Sequence, residues 1–366
     1  MSHELTIRAG GKVEMAFTGE NPWHGLGQSL PVGADLDEWQ VAAGMDWRID
    51  RAKVRYPARA EDAGNPAAWR AMDDRHVLLR SDNGDALGVV SSSYQEVQPA
   101  DVLGFFRDLT KGAGFEMETA GTLFGGKRFW ALARVTADAP ILDAKDKVGG
   151  FLLLSTSADG SLSTEARFTT VRVVCKNTLG MAREKRAEVK VSHRAAFDPD
   201  AAKEALGVRP QDMRERFETQ MEQFRRLARS RATPAEMVRM TLEAFGHDPD
   251  AMSRDDLEKA ARAPAAAAIG TLAVSGDGLM GADLSGGSRT AWSWLNAVTQ
   301  YVDHGARARS QSNRLDSAWF GRGDALKMKA QEIAIRHAGG AVLYAPEQPA
   351  GGSLLDDVLA ATPVAA

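Results

Sequence analysis

At 366 residues, 44% hydrophobic and 26% charged, the chain has an ordinary globular composition and enough length for a sizeable core and two domains. A net charge of −4 excludes a protein that coats nucleic acid over its whole surface but leaves room for a local basic groove. The single cysteine, Cys175, excludes an intramolecular disulfide framework and a multi-cysteine zinc site, and it fits a reducing cytoplasm.

The first residues carry no basic region followed by an apolar stretch, so no signal peptide is expected. No window approaches the ~18 apolar residues that a bilayer span requires. The expected setting is cytoplasmic, without a membrane partner.

The first half reads mostly as β-structure. His76–Arg80 and Ala86–Ser91 flank Asp82-Asn83-Gly84-Asp85, a hairpin turn signal. Pro99–Lys111 reads as a helix with Val102, Leu103, Phe105, Phe106 and Leu109 on its apolar face. A second hairpin pairs Phe115–Phe124 with Lys127–Val135 across Gly125-Gly126. In its return strand Phe129, Ala131, Ala133 and Val135 alternate with Arg128, Trp130, Leu132 and Arg134, placing the two sets on opposite faces. A third hairpin pairs Gly150–Ser157 with Leu162–Cys175 across Asp159-Gly160. Helix or loop follows through Asn177–Arg186, then a short strand, Glu188–Ser192.

The second half reads as helical. Met213, Phe217, Met221, Phe224 and Leu227 recur at three- and four-residue spacing in a long helix from Pro210. Thr233-Pro234-Ala235-Glu236 is a capping box opening a helix that stops at Gly246. Ser253 caps a short helix carrying Leu257, and the Ala/Gly/Ser-rich stretch from Ala265 to Ser288 reads as a loop. Two helices close the chain, Thr290–His304 and Asp324–His337, ended by Gly305 and Gly339. The expected fold is α+β: a mainly antiparallel sheet of hairpins with an inserted helix, then a helical half that packs back on it. Its parts are a β-rich core over 1–195, a helical region over 196–264, a flexible loop over 265–289, closing helices over 290–345 and a frayed tail over 346–366.

Charge is concentrated beyond the third hairpin. From Ser161 to Arg194 the chain holds Arg167, Arg172, Lys176, Arg183, Lys185, Arg186, Lys190 and Arg194, against Glu165, Glu184 and Glu188. Extended, Arg167–Cys175 puts Val171, Val173 and Cys175 on one face and Phe168, Thr170 and Arg172 on the other. A ring beside a guanidinium suits single-stranded nucleic acid, where bases stack on rings and cations follow phosphates. The alternative is an Arg172 ion pair with Glu116 or Glu118 and a solvated charged face. Gly125-Gly126-Lys127-Arg128 offers a second phosphate contact through backbone amides and the Lys127 and Arg128 side chains, or else is a plain hairpin turn. Arg307, Arg309, Arg314 and Arg322 offer a further basic surface.

Other chemistry is weaker. Glu188-Val189-Lys190 with Asp143 or Asp146 matches the acidic-x-Lys element of metal-dependent nucleases, a triplet common by chance. No His-x-x-x-His or Cys-x-x-Cys spacing supports a metal site, and Cys175 lies on an apolar strand face, so no metal, cofactor or catalytic residue is expected. The stripe of Ala291, Trp294, Leu295, Val298 and Val302 is either core or a docking face.

Several blocks together carry a family resemblance. They are Pro22-Trp23-His24-Gly25-Leu26-Gly27; Leu87-Gly88-Val89-Val90-Ser91 with Tyr94 and Gln98; Glu118-Thr119-Ala120-Gly121; and Asp159-Gly160-Ser161. Val171-Arg172-Val173-Val174-Cys175-Lys176-Asn177-Thr178-Leu179, Asn296-Ala297-Val298-Thr299, Tyr301-Val302-Asp303-His304 and Ser317-Ala318-Trp319-Phe320-Gly321 complete the set. Over roughly residues 14 to 335 the chain resembles the phage/plasmid-like protein family, catalogued as a domain of unknown function. That resemblance implies a mobile-element origin and no particular activity. The order of hairpins, helix and basic exit is also similar to the core of single-strand annealing recombinases, a likeness of fold alone. The expected function is non-catalytic nucleic-acid binding, of single-stranded DNA and with strand annealing by a homo-oligomer. Its groove would be built from Phe168, Arg172, Lys176, Arg183, Lys185, Arg186, Lys190 and Arg194, with Lys127 and Arg128. The alternatives are a protein-interaction or counter-defence factor, and a nuclease.

Overall fold

The computed structural model describes residues 6, 8, 11–19, 27–57, 69–112, 114–162, 164–172, 177–180 and 210–339. Among them the fold is α+β, with antiparallel-rich sheets in the N-terminal half and helices in the C-terminal half. Two compact units separate. The first is drawn from Met1–Arg134, Leu152–Arg167 and Glu188–Pro210; the second is drawn from Val135–Phe151, Phe168–Ala187 and Gln211–Ala366.

The first unit opens with β1 (Met15–Thr18), β2 (Gln28–Leu30) and helix α1 (Leu36–Ala43). Then come β3 (Ile49–Pro57), β4 (Trp69–Arg80), β5 (Ala86–Ser91), helix α2 (Pro99–Gly112), β6 (Glu116–Leu123) and β7 (Arg128–Arg134). Strand β1 pairs with β6 antiparallel and with β2 in parallel, and β6 pairs antiparallel with β7. Strands β3, β4 and β5 form a separate antiparallel sheet.

Local chemistry places these elements. Asp35 caps α1 in a reciprocal box with Glu38. The β4–β5 turn is the expected one: Gly84 takes a left-handed φ of 76°, and the Asn83 side chain accepts from the Asp85 amide at 2.9 Å. The Asp159-Gly160 turn is also present, with the Tyr94 hydroxyl donating to the Ala158 carbonyl at 2.9 Å. Gly88 lies so close beneath it that a Cβ there would sit 2.8 Å from Asp159 Cβ.

A buried charge cluster lies at the centre of the first unit. Glu14, fully buried, accepts from Arg80 at 2.6 and 3.1 Å, from Arg8 at 3.1 Å and from the Thr122 hydroxyl. The Arg80 guanidinium also donates to Asp82 at 2.8 and 3.0 Å and stacks 4.3 Å over the Trp47 ring. Burial works against the Arg80 charge, but hydrogen bonds to Asp82 and Glu14 outweigh it and hold the guanidinium above its ordinary value. The same bond draws the Asp82 carboxyl below its ordinary value, against burial.

Strands β9 (Lys147–Ser157) and β10 (Glu165–Arg172) run through both units, with β8 (Ala139–Pro140) on β9 and β11 (Asn177–Gly180) on β10. Residues 177–180 are therefore a strand, not the helix or loop expected there. Their register with Thr169–Arg172 supplies ladder bonds that local propensity does not reveal.

The second unit holds helices α3 (Pro210–Arg229), α4 (Pro234–Ala244), α5 (Arg254–Ala261), α6 (Pro264–Gly270), α7 (Ala291–Gln300), α8 (Gln311–Phe320) and α9 (Arg322–His337). The five apolar residues of α3 are all buried, Thr233 and Glu236 form the capping box of α4, and Ser253 caps α5. Two findings depart from the sequence reading. The Ala-rich stretch begins as helix α6, since four alanines after a proline at the first helical position favour helix. Helix α8 was not expected, because Leu315 and Ala318 are too few to mark an apolar period.

All ten residues of α7 are buried, so this helix is core rather than a docking face. Its Trp294 donates to Thr241 of α4 at 3.0 Å. Lys327 of α9, itself buried, pairs at 2.9 Å with Asp303 in the π-helical turn that follows α7. No described helix is long and apolar enough to cross a membrane.

Candidate nucleic-acid interface

The two anchors of the expected groove are not at the surface. Phe168 is buried, and Gly150 makes room for its packing: a Cβ at Gly150 would stand 2.8 Å from Phe217 Cδ2 and 3.2 Å from Phe168 Cζ. Arg172 is buried too, but not with Glu116 or Glu118. Its Nε and Nη2 donate to the two carboxylate oxygens of Asp146 at 2.6 and 2.7 Å, and Nη1 donates to the Met280 carbonyl at 3.1 Å. The guanidinium lies 5.3 Å from the Trp292 ring, whose Nε1 also donates to Asp146 at 3.2 Å. A bidentate pair closed under an indole is a structural device; neither Phe168 nor Arg172 is open to a strand. The same bonds occupy Asp146, one of the two carboxylates weighed for a nuclease. Glu118 pairs instead with Arg134.

The glycine turn is likewise inward. The Gly125 amide donates to Thr6 at 3.1 Å, and a Cβ on buried Gly126 would meet Trp47 at 2.5 Å. The Arg128 guanidinium lies 5.6 Å from the Phe124 ring. Burial lowers its pKa from the ordinary value, with Asp159 acting in the opposite sense. The Lys127 carbonyl accepts from Ala158, and its side chain is half-buried. This is a packed hairpin turn rather than an amide cradle for phosphate. Lys176, Arg183, Lys185, Arg186, Lys190 and Arg194 lie outside the described residues, as do Trp23, His24 and the Glu188–Lys190 element.

An open basic surface with aromatic rings is found on β3 and β4. Strand β5 pairs with β4 only from Arg75 to Leu79, so beyond Arg75 the two longer strands continue as a two-stranded ribbon. Residues 55–57 and 69–75 are exposed throughout. The register sets Arg55 opposite Ala71, Tyr56 opposite Arg70 and Pro57 opposite Trp69. Side chains alternate along a strand, so Arg55 and Trp69 share one face while Tyr56 and Arg70 share the other. Trp69 is 61% exposed and Tyr56 46%, unusual for such large rings. Lys53 is exposed on the same strand, opposite His76 and across a register break from Arg55, and neither Lys53 nor Arg55 has an ion pair among the described residues. Farther down the strand Arg51 is held by Glu96.

Each face of the ribbon therefore pairs a ring with a guanidinium; its inner end also carries the exposed carboxylates Asp73 and Asp74, the latter 3.5 Å from Arg75. Reading the first strand from His76 passes over this surface. The available signal was the period-two run Arg51-Ala52-Lys53-Val54-Arg55-Tyr56, visible in the sequence.

Fold and surface together define an α+β protein with an exposed strand pair that carries arginines and aromatic rings. The chain belongs to the family described as "Domain of unknown function (DUF932)", which it matches over residues 86–319. No curated protein and no solved structure matches the chain.

Proposed function

We propose that the protein binds single-stranded nucleic acid without cleaving it, in the service of a phage or plasmid. The observation that supports this reading is the pairing of Trp69 with Arg55 and of Tyr56 with Arg70 on the exposed β3–β4 ribbon. Unpaired bases present their flat faces to such rings while guanidinium and ammonium groups follow the phosphates. Duplex DNA keeps its bases stacked and offers the rings nothing. The basic stretch from Lys176 to Arg194 enters the proposal on its sequence alone, as a further group of cations. Strand annealing is the activity such binding would serve, through assembly of several copies on one strand.

The test is fluorescence anisotropy with labelled single- and double-stranded oligonucleotides, with and without Mg²⁺, joined to light scattering for the assembly state. The single strand is expected to bind more tightly than the duplex and to stay intact. Replacing Trp69 by alanine should weaken single-strand binding by ~1–3 kcal/mol. As the side chain is exposed, folding should be unaffected. Equal affinity for duplex, cleavage on adding Mg²⁺, or an unchanged affinity in Trp69→Ala contradicts the proposal.

A further inference from the structure

The second unit contains a cleft of about 690 Å³, within the ~300–1,000 Å³ range of small-molecule sites. Its apolar wall comes from Leu242 and Phe245 at the end of α4, the alanines of α6 and Leu326 of α9. Facing them are four cations, Arg307, Arg309, Arg314 and Arg322, the same four that stood out in the sequence as a second basic group. No carboxylate is among its described lining residues.

Two of the four arginines stand open to solvent. Arg307 and Arg309 are exposed and have no ion pair among the described residues. Arg314 donates through Nη1 to the His304 carbonyl at 2.6 Å, but its Nε–H is buried without an acceptor. A buried donor left unmade on a cation is costly, and it is the kind of group a ligand oxygen satisfies. The sixteen-residue helix α9 also begins at the cleft, with Arg322 and Gly323 in its wall, so its positive dipole end adds to the field. Asp324 in that first turn is buried and offsets part of the dipole, and the Gly323 amide is taken by the Ser317 hydroxyl at 3.2 Å. Arginine side chains, rather than free amides, therefore supply the donors. Tyr301 stands at the edge of the cleft. Burial raises its phenol above the ordinary value and the charge of Arg307 acts the other way.

We infer that this cleft binds a phosphorylated small molecule with a flat, mainly apolar body, the chemistry of a nucleoside phosphate. The arginines take the phosphate oxygens in forked, charge-assisted hydrogen bonds, and the base lies against Phe245, Leu242 and the α6 alanines. This site belongs to the second unit and does not depend on the ribbon.

The experiment is isothermal titration calorimetry of the full chain with ADP, adenosine and inorganic phosphate as separate probes. ADP should bind saturably, and adenosine and inorganic phosphate should each bind at least ~10-fold more weakly, because each lacks half of the recognised chemistry. The double variant Arg307→Ala/Arg309→Ala removes only exposed side chains and should lower ADP affinity at least ~10-fold. Trp69→Ala should leave ADP binding unchanged, which separates failure of this site from failure of the ribbon. No saturable heat with ADP, adenosine binding as tightly as ADP, or full ADP affinity in the double variant overturns the inference.

Discussion

Replacing Asp146 by alanine is expected to destabilise the second unit by about 3–5 kcal/mol. The carboxylate is fully buried and accepts both arms of Arg172 and the indole N–H of Trp292. Its loss strips a buried guanidinium of its countercharge and leaves a buried indole donor unmade, two costs water cannot relieve. Arg172→Met in the same background should restore much of the loss, because removing both charges removes the desolvation problem with them. Urea denaturation followed by intrinsic fluorescence reads the effect as a shift in midpoint at constant slope. A loss under ~1 kcal/mol, typical of exposed pairs, would contradict the buried geometry. Arg172→Met alone should cost stability while leaving the salt dependence of oligonucleotide binding intact, as befits a side chain that does not reach phosphate.

The second large effect is expected at Glu14. Alanine there removes the acceptor shared by Arg80, Arg8 and Thr122. Arg80 keeps Asp82 as a partner, so the loss should lie near ~3 kcal/mol, the lower end for a broken buried pair. Glu14→Gln keeps the shape and one acceptor oxygen and should cost less. The partly exposed pair of Arg134 and Glu118 makes the control: Glu118→Ala should cost ~1 kcal/mol or less. If Glu14→Ala and Glu118→Ala proved equal, the central position of the Glu14 cluster would be wrong.

These two clusters also explain which parts of the structure were legible in the sequence. Turns and caps are written in a few adjacent residues, so Asp82-Asn83-Gly84, Asp159-Gly160, Thr233 with Glu236 and Ser253 all led to the right element. Helix α3 was equally plain, since five large apolar residues at helical spacing admit one buried face. Alternation along β10 separated the two sets of side chains but gave the core to the wrong one: Phe168, Thr170 and Arg172 are buried and Val171 is the half-buried residue. Seven of its eight residues are buried, so Phe168 and Arg172 looked presentable only because the cover is supplied by distant sequence. Asp146 lies 26 residues from Arg172 and Met280 lies 108 away, separations that no local pattern encodes. The ribbon failed for the opposite reason. Its alternation is short, with only the small Ala52 and Val54 between cations, and its outer end is exposed on both faces, so its chemistry lies in the polar residues. The four arginines of the cleft were visible as a group, but only the end of α4, helix α6 and Leu326 of α9 together give them an apolar wall.

The central claim is that Lys53, Arg55 and Arg70 meet the phosphates of a single strand. It is tested most directly by the slope of log binding constant against log salt concentration, measured by anisotropy for the wild type and for Lys53→Ala/Arg55→Ala/Arg70→Ala. Each phosphate contact on a single strand contributes about 0.7 to that slope. The triple variant should therefore show a slope shallower by about two, with the folded state intact. An identical slope in the two proteins would place the phosphates elsewhere and contradict the account.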